Sequence, residues 1–201
     1  MTLANTAFHL NARRHRAWPG PRLILVTDDV RLPDPGPAIR RLPVGSGVLL
    51  RHGNDNSGGD AAMLALCRVR RISVLVAGDW RRAARLGADG LHLSESLGRH
   101  GVLAAVLGWA RRHRRLVTMA CHSPAALNRA RRLGVDAALL SPVFPTASHP
   151  GAKTIGAVRF GLWVRRAGVP VLALGGIDRS TARRLPPGLA AGLAAISGLA
   201  R

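Results

Sequence analysis

Three apolar runs in the last third of the chain end in residues suited to holding a phosphate: LLSPVFPTASHPG, VPVLALGGID and GLAAISG. Glycine and small residues at Gly175-Gly176-Ile177 and at Ala195-Ile196-Ser197 let backbone N–H groups come close to phosphate oxygens. Thr146, Ser148 and His149 add hydroxyl and imidazole groups on the first of these loops. A Gly-Gly pair alone is equally a tight turn from strand to helix. A second small-residue end, in matching order, favours a two-walled cup. Cys121, His122 and His149 are the candidates for moving a proton near that cup. Each has a plainer alternative: His122 as an internal hydrogen-bonding group, Cys121 as a small buried side chain, His149 as a surface loop residue. His92, inside an apolar run, reads as structural, because an inward polar group needs a partner.

The elements that position these residues follow from a recurring local pattern. A helix rich in Ala and Arg ends at glycine and an apolar strand follows, in RAARLGADGLHL, RARRLGVDAALL and VRRAGVPVLAL. Gly87, Gly134 and Gly168 stand where a helix terminates in the left-handed conformation. The apolar runs after them are too short for helices and read as buried parallel strands. Counting outward gives strands over 23–27, 47–51, 73–77, 90–93, 116–121, 137–141, 169–174 and 189–196. Ser123-Pro124 is a helix cap followed by Pro at the first helical position, and Asp178 or Ser180 would cap a helix after Gly-Gly-Ile. Strands alternating with helices predict a (β/α)8 TIM barrel, with an open doubly wound sheet as the alternative. The sequence ends at Arg201, which predicts a barrel short of a full eighth outer helix. Residues 1–20 read as an N-terminal arm or short helix, and residues 21–201 as one barrel domain.

The 201 residues carry 30 basic and 10 acidic side chains, a formal net charge of +20. Lys153 is the only lysine and Glu95 the only glutamate, a bias that reflects coding composition more simply than one binding surface. The arginines come as doublets dispersed along the chain, with no Tyr to stack on bases. That predicts no specific nucleic-acid partner, only general adhesion to polyanions. No apolar run is long enough to span a membrane, and the N-terminus has no apolar core of a secretory signal. Two cysteines make no disulfide framework, so a reducing cytoplasm is expected.

The order GADGLHL, a strand ending Ala-Cys-His-Ser, SPVFPTASHPG, LALGGI and AAISG resembles thiamin phosphate synthase and its relative thiazole tautomerase. LILVTD and LLR, earlier in the chain, agree. The resemblance runs from Leu23 to Ser197, and SPVFPT followed by PVLALGGI is its most specific part. It implies an enzyme of thiamin biosynthesis, a transferase that joins a pyrimidine pyrophosphate to a thiazole phosphate and releases pyrophosphate with Mg²⁺. It further implies a substrate phosphate cup at Thr146, Gly175, Gly176, Ile196 and Ser197, and reactive groups at Arg51, His122 and His149.

The metal half departs from the family pattern. The expected Asn-Asp pair after strand three falls on Ala77 and Gly78, with Asp79 one residue away. The second carboxylate position is Leu97, leaving Glu95 as the nearest acid. Asp79 and Glu95 together make a poor octahedral Mg²⁺ site. Gly53 replaces a basic residue, Ala120 a serine, and His149 a lysine; Lys153, four residues on, reads either as the replacement for that charge or as a solvated loop lysine. The tautomerase branch needs no cofactor, because shifting a proton on a phosphorylated thiazole requires only a cup and acid–base groups. A non-catalytic phospholigand-binding barrel is the third reading. The expected partners are small phosphorylated thiazole and pyrimidine substrates, with no membrane and with room for a homo-oligomer.

Overall fold

Eight short apolar strands pair side by side in chain order, all parallel, and the last closes on the first. They are β1 Leu23–Val26, β2 Gly47–Leu50, β3 Ser73–Ala77, β4 Gly90–Leu93, β5 Leu116–Cys121, β6 Ala137–Leu140, β7 Val171–Ala173 and β8 Gly192–Ala195. The computed structural model describes residues 18–51, 57–99, 103–147 and 151–200, together with Leu3 and Ala7. The fold is therefore the TIM barrel and not the open sheet, because β1 pairs with β8 through Leu23, Ile24 and Leu25. Among the described residues no helix is long and apolar enough to cross a membrane.

Closure divides each strand into two faces. Ile24, Leu49, Leu75, Leu139, Leu172 and Ala194 fill the barrel interior. Leu25, Leu50, Val76, Leu93, Leu140 and Leu193 lie in the shell between strands and helices. Trp18 joins the interior cluster beneath the strands, and its indole N–H donates to the Pro21 carbonyl at 3.2 Å.

The outer helices are α1 Gly36–Arg41, α2 Ser57–Val69, α3 Trp80–Leu86, α4 Leu103–Arg112, α5 Pro124–Leu133, α6 Gly156–Arg166 and α7 Ser197–Ala200. Asp79 caps α3 and Ser123 caps α5, each side chain accepting a backbone N–H three residues on. At the other ends Gly87 and Gly134 adopt φ of 62° and 65° and return their N–H groups to the last helical turns. Two residues after each of these glycines comes an aspartate with one task. Asp89 accepts the Val74 N–H of β3 at 2.8 Å, and Asp136 accepts the Val117 N–H of β5 at 2.7 Å. The sequence repeat is thus a strand-joining device: the glycine ends the helix and the aspartate fastens the neighbouring strand. In the third copy Pro170 stands in the aspartate's place, and its carbonyl takes the Ala138 N–H instead.

The outer layer departs from the expected regularity on one side. After β7 the chain makes only a 3-10 turn, Ala182–Arg184, instead of the helix expected there. Asp178 does act as a cap, accepting the N–H groups of Ser180 and Thr181, but Pro186 and Pro187 stop propagation. After β8 the described residues close with the helix α7, Ser197–Ala200. Most of the expected N-terminal arm lies outside the described residues. Leu3 and Ala7 are helical and buried, and Leu3 lines a groove with Leu23, Leu42 and Leu199 beside this thin part of the shell.

The aspartate device predicts that Asp136→Ala, which strands a buried N–H at the start of β5, lowers unfolding free energy by about 1–3 kcal/mol. Urea titration should show a lower midpoint with an unchanged slope, and an unchanged midpoint would remove this role.

Candidate active site

The loops at the C-terminal ends of β6, β7 and β8 lean on one another through glycine. A methyl group at Gly176 would stand 2.3 Å from the Pro145 carbonyl oxygen of the β6 loop. One at Gly198 would stand 2.2 Å from the Ile177 oxygen of the β7 loop. Gly176 also has φ of +63°, a backbone conformation that side chains disfavour. Only glycine permits this stacking. The Thr181 hydroxyl reinforces it, donating to the Gly176 carbonyl at 2.7 Å, while Asp178 holds the following turn. The two N–H groups that Asp178 accepts and the Ser180 hydroxyl keep its carboxyl below the usual range, outweighing its slight burial.

Between these loops lies a cleft of about 180 Å³ lined by Thr146, Gly175, Gly176, Ile177, Ile196 and Ser197. Thr146, Leu174, Gly175 and Ile196 also border an adjoining cavity of about 280 Å³ that opens over the barrel. Arg51, His122 and Ser141 form the polar part of this second space, and Val26 part of its apolar wall. The cleft suits a phosphate and the cavity an attached ring.

Arg51 projects from the end of β2. Its N–H donates to the Thr27 hydroxyl at 3.1 Å, and its guanidinium lies 3.8 Å from the Asp28 carboxylate. Partial burial would raise the Asp28 carboxyl, but the Arg31 N–H and the charges of Arg31 and Arg51 hold it below the ordinary range. Asp28 is therefore an anion that keeps both cations at the mouth of the site. Sequence reasoning passed over Asp28, Arg31 and Ser141; the signal was their position just past strand ends.

His122 follows β5. Its Nδ1 lies 2.8 Å from the Ser141 carbonyl oxygen, which can only accept, so Nδ1 carries the proton and Nε2 is the basic nitrogen of the neutral ring. Its backbone N–H donates to Glu95 at 3.0 Å. Cys121, next to it, faces the outer shell, where burial and the charge of Glu95 push the thiol up to about 12. It is no acid–base group for this cavity. His92, inside the barrel, donates from Nδ1 to the Thr118 hydroxyl at 2.9 Å, which in turn points to the Leu91 carbonyl. Burial, reinforced by Arg51 and His122, drives its pKa down to about 4.

The two carboxylates expected at a metal site stand elsewhere. Asp79 gives its side chain to the N-terminus of α3, 2.9 Å from the Arg82 N–H. Glu95 binds Arg99 and the His122 N–H. Its partial burial would raise the carboxyl pKa, but the Arg99 bond and the His122 N–H together bring it below normal. Neither carboxylate lines the cleft or the cavity, and among the described residues no three His, Cys, Asp or Glu side chains group to hold a metal. This donor set does not fit Mg²⁺. His149 lies outside the described residues.

Residues 60–199 match the family described as thiamine monophosphate synthase. A thiamine-phosphate synthase of Methylobacillus flagellatus is 32% identical over 162 residues, covering 78% of this chain and 74% of that protein. The chain belongs to this family. A thiamine-phosphate synthase of Listeria monocytogenes serotype 4a is 29% identical over 140 residues, 68% of this chain, and the match spans 63% of that protein's length. In fold, the family member is similar to a thiamine phosphate pyrophosphorylase from Pyrococcus furiosus, with a TM-score of 0.71 and 22% identity over 88% of this chain and 85% of that one.

Two outcomes test this geometry. Gly176→Ala should weaken inorganic phosphate binding by about tenfold or more, measured by titration calorimetry, because the loop must move away from Pro145. His92 gives a pH signature. Its folded pKa of about 4 lies below the unfolded value of 6.5, so the unfolded chain binds more protons between these values. Stability is full above the upper value and falls as pH drops toward the lower one. His92→Asn should shrink the difference between urea midpoints at about pH 7.5 and about pH 5; an unchanged difference contradicts the assignment.

Proposed function

We propose that this barrel is a thiamin phosphate synthase-like transferase that joins a pyrimidine pyrophosphate to a thiazole phosphate. The single observation that carries the reading is the joining of a glycine-walled phosphate cleft to a cavity bearing Arg51 and His122. The thiazole phosphate lies with its phosphate against Gly176, Ile177 and Ser197 and its ring toward Leu174 and Ile196. The thiazole nitrogen forms the new bond to the pyrimidine methylene carbon, and the carbon–oxygen bond to pyrophosphate breaks, the electron pair leaving with pyrophosphate. Arg51 stabilises the charge that develops on that leaving group. His122 donates or accepts at Nε2 according to its protonation. Small phosphorylated substrates are the partners, and a cytoplasmic setting accords with two free, buried cysteines.

A second reading draws support from the engagement of Asp79 and Glu95 in other bonds. An isomerase acting on the same thiazole phosphate needs no metal: His122 takes a proton from ring carbon and returns it to another ring position.

Purified protein mixed with pyrimidine pyrophosphate, thiazole phosphate and Mg²⁺ should form thiamin phosphate, and Arg51→Gln should cut turnover by about 100-fold or more. A parallel reaction with chelator measures whether any metal is used. Folded protein that binds thiazole phosphate yet forms no thiamin phosphate sinks the transferase reading. The isomerase reading then requires proton exchange into the thiazole that His122→Asn abolishes.

A further inference from the structure

The arginines that are dispersed along the sequence converge in space. In a barrel whose helices return antiparallel to the strands, every helix C-terminus lies at the face where the strands begin, opposite the cavity. The last turns of α1 to α6 all carry arginine. Three consecutive helices end in pairs: Arg111-Arg112 on α4, Arg131-Arg132 on α5 and Arg165-Arg166 on α6, all exposed. The fold therefore gathers these helix-end arginines, dispersed in the sequence, onto one face, while Arg81-Arg82 stays at the cavity end.

The acidic residues are collected on the other. The four salt bridges among the described residues, Asp28 with Arg31 and Arg51, Asp60 with Arg82 and Glu95 with Arg99, all lie toward the cavity. The described carboxylates at the arginine face are Asp89 and Asp136, both turned in to strand N–H groups. Some guanidiniums there serve the fold, as Arg68 does by donating to the Leu86 carbonyl at 3.2 Å. Arg112, Arg132 and Arg166 make no such bond to any described residue.

We propose that this face binds the phosphate backbone of double-stranded nucleic acid without reading its sequence. Exposed guanidiniums pair with phosphate oxygens in a bidentate manner, and their release of counterions drives such binding. Single-strand binders stack bases on exposed aromatic rings; none of the described Trp or Phe side chains is exposed. A membrane surface would call for a cluster of apolar side chains to insert; this face exposes Val44 and Val69 near the ends of α1 and α2, and the ends of α4 and α5, where the arginine pairs stand, expose no large one. The face is separate from the phosphate cleft, so the proposal stands apart from the enzymatic reading.

The test is fluorescence anisotropy with a labelled DNA duplex of about 20 base pairs at about 50 and about 200 mM salt. The expected result is a fall in affinity of about 10³-fold across that range. Arg112→Gln/Arg132→Gln/Arg166→Gln should make the log–log salt slope shallower by about 2 to 3. Arg81→Gln/Arg159→Gln/Arg179→Gln removes the same charge elsewhere and should leave the slope within about 1 of the parent. Circular dichroism checks that both variants fold, and the parent slope is decisive without them. No duplex binding at the lower salt, a parent slope shallower than about −2, or equal effects of the two variants overturns the proposal. So does binding to phosphatidylserine vesicles with none to the duplex.

Discussion

The lack of a side chain at two points governs the whole reactive end of this barrel. The β8 loop rests on the β7 loop at Gly198, and the β7 loop rests on the β6 loop at Gly176, each at a distance that admits no Cβ. The contacts run in one direction around the rim, so the three loops form a single rigid wall. Cleft and cavity share Thr146, Leu174, Gly175 and Ile196 because of that wall. A ligand held there by a phosphate, as in the proposed function, would be aimed over the barrel mouth by the same wall that binds it.

Charge at that mouth is arranged by pairing rather than by quantity. Asp28 fixes Arg31 and Arg51 and stays ionised itself. Glu95 ties the β4 loop to the β5 end through Arg99 and the His122 N–H. His92 beneath them stays neutral, its proton committed to Thr118. A fixed cation and the His122 imidazole stand above an uncharged floor. The carboxylates that would draw a divalent ion are bonded to the protein instead.

Most of the fold was legible because its signals are local. Gly87, Gly134 and Ser123-Pro124 mark helix ends by backbone conformation and capping, which need no tertiary information. Strand positions followed within a few residues; β7 and β8 proved shorter because the ladder begins only after Pro170 and Ala191. The small-residue strand ends at Gly175-Gly176 and Ala195-Ile196-Ser197 were legible for the same reason, and the structure brings them to one cleft. What long-range geometry decides was not. Asp79 looked available to a metal but sits one residue from the inward position and caps α3. The partnership of Glu95 with His122 joins residues far apart in sequence. The gathering of arginines on one face needs the barrel itself, since each doublet in isolation is only a favourable helix end.

The Gly-x-Asp linkers have a further consequence for how such a chain tolerates change. From the glycine that stops the helix to the aspartate that grips the adjacent strand is a fixed two-residue ruler, at Gly87 to Asp89 and again at Gly134 to Asp136. Adding or deleting one residue inside the ruler would shift the next strand by one position. Every side chain on that strand would then exchange faces, sending Leu91 into the barrel and His92 out toward the helices. At these two linkers a change of length is therefore costly, whereas the opposite rim, where strands run into loops, has no such ruler.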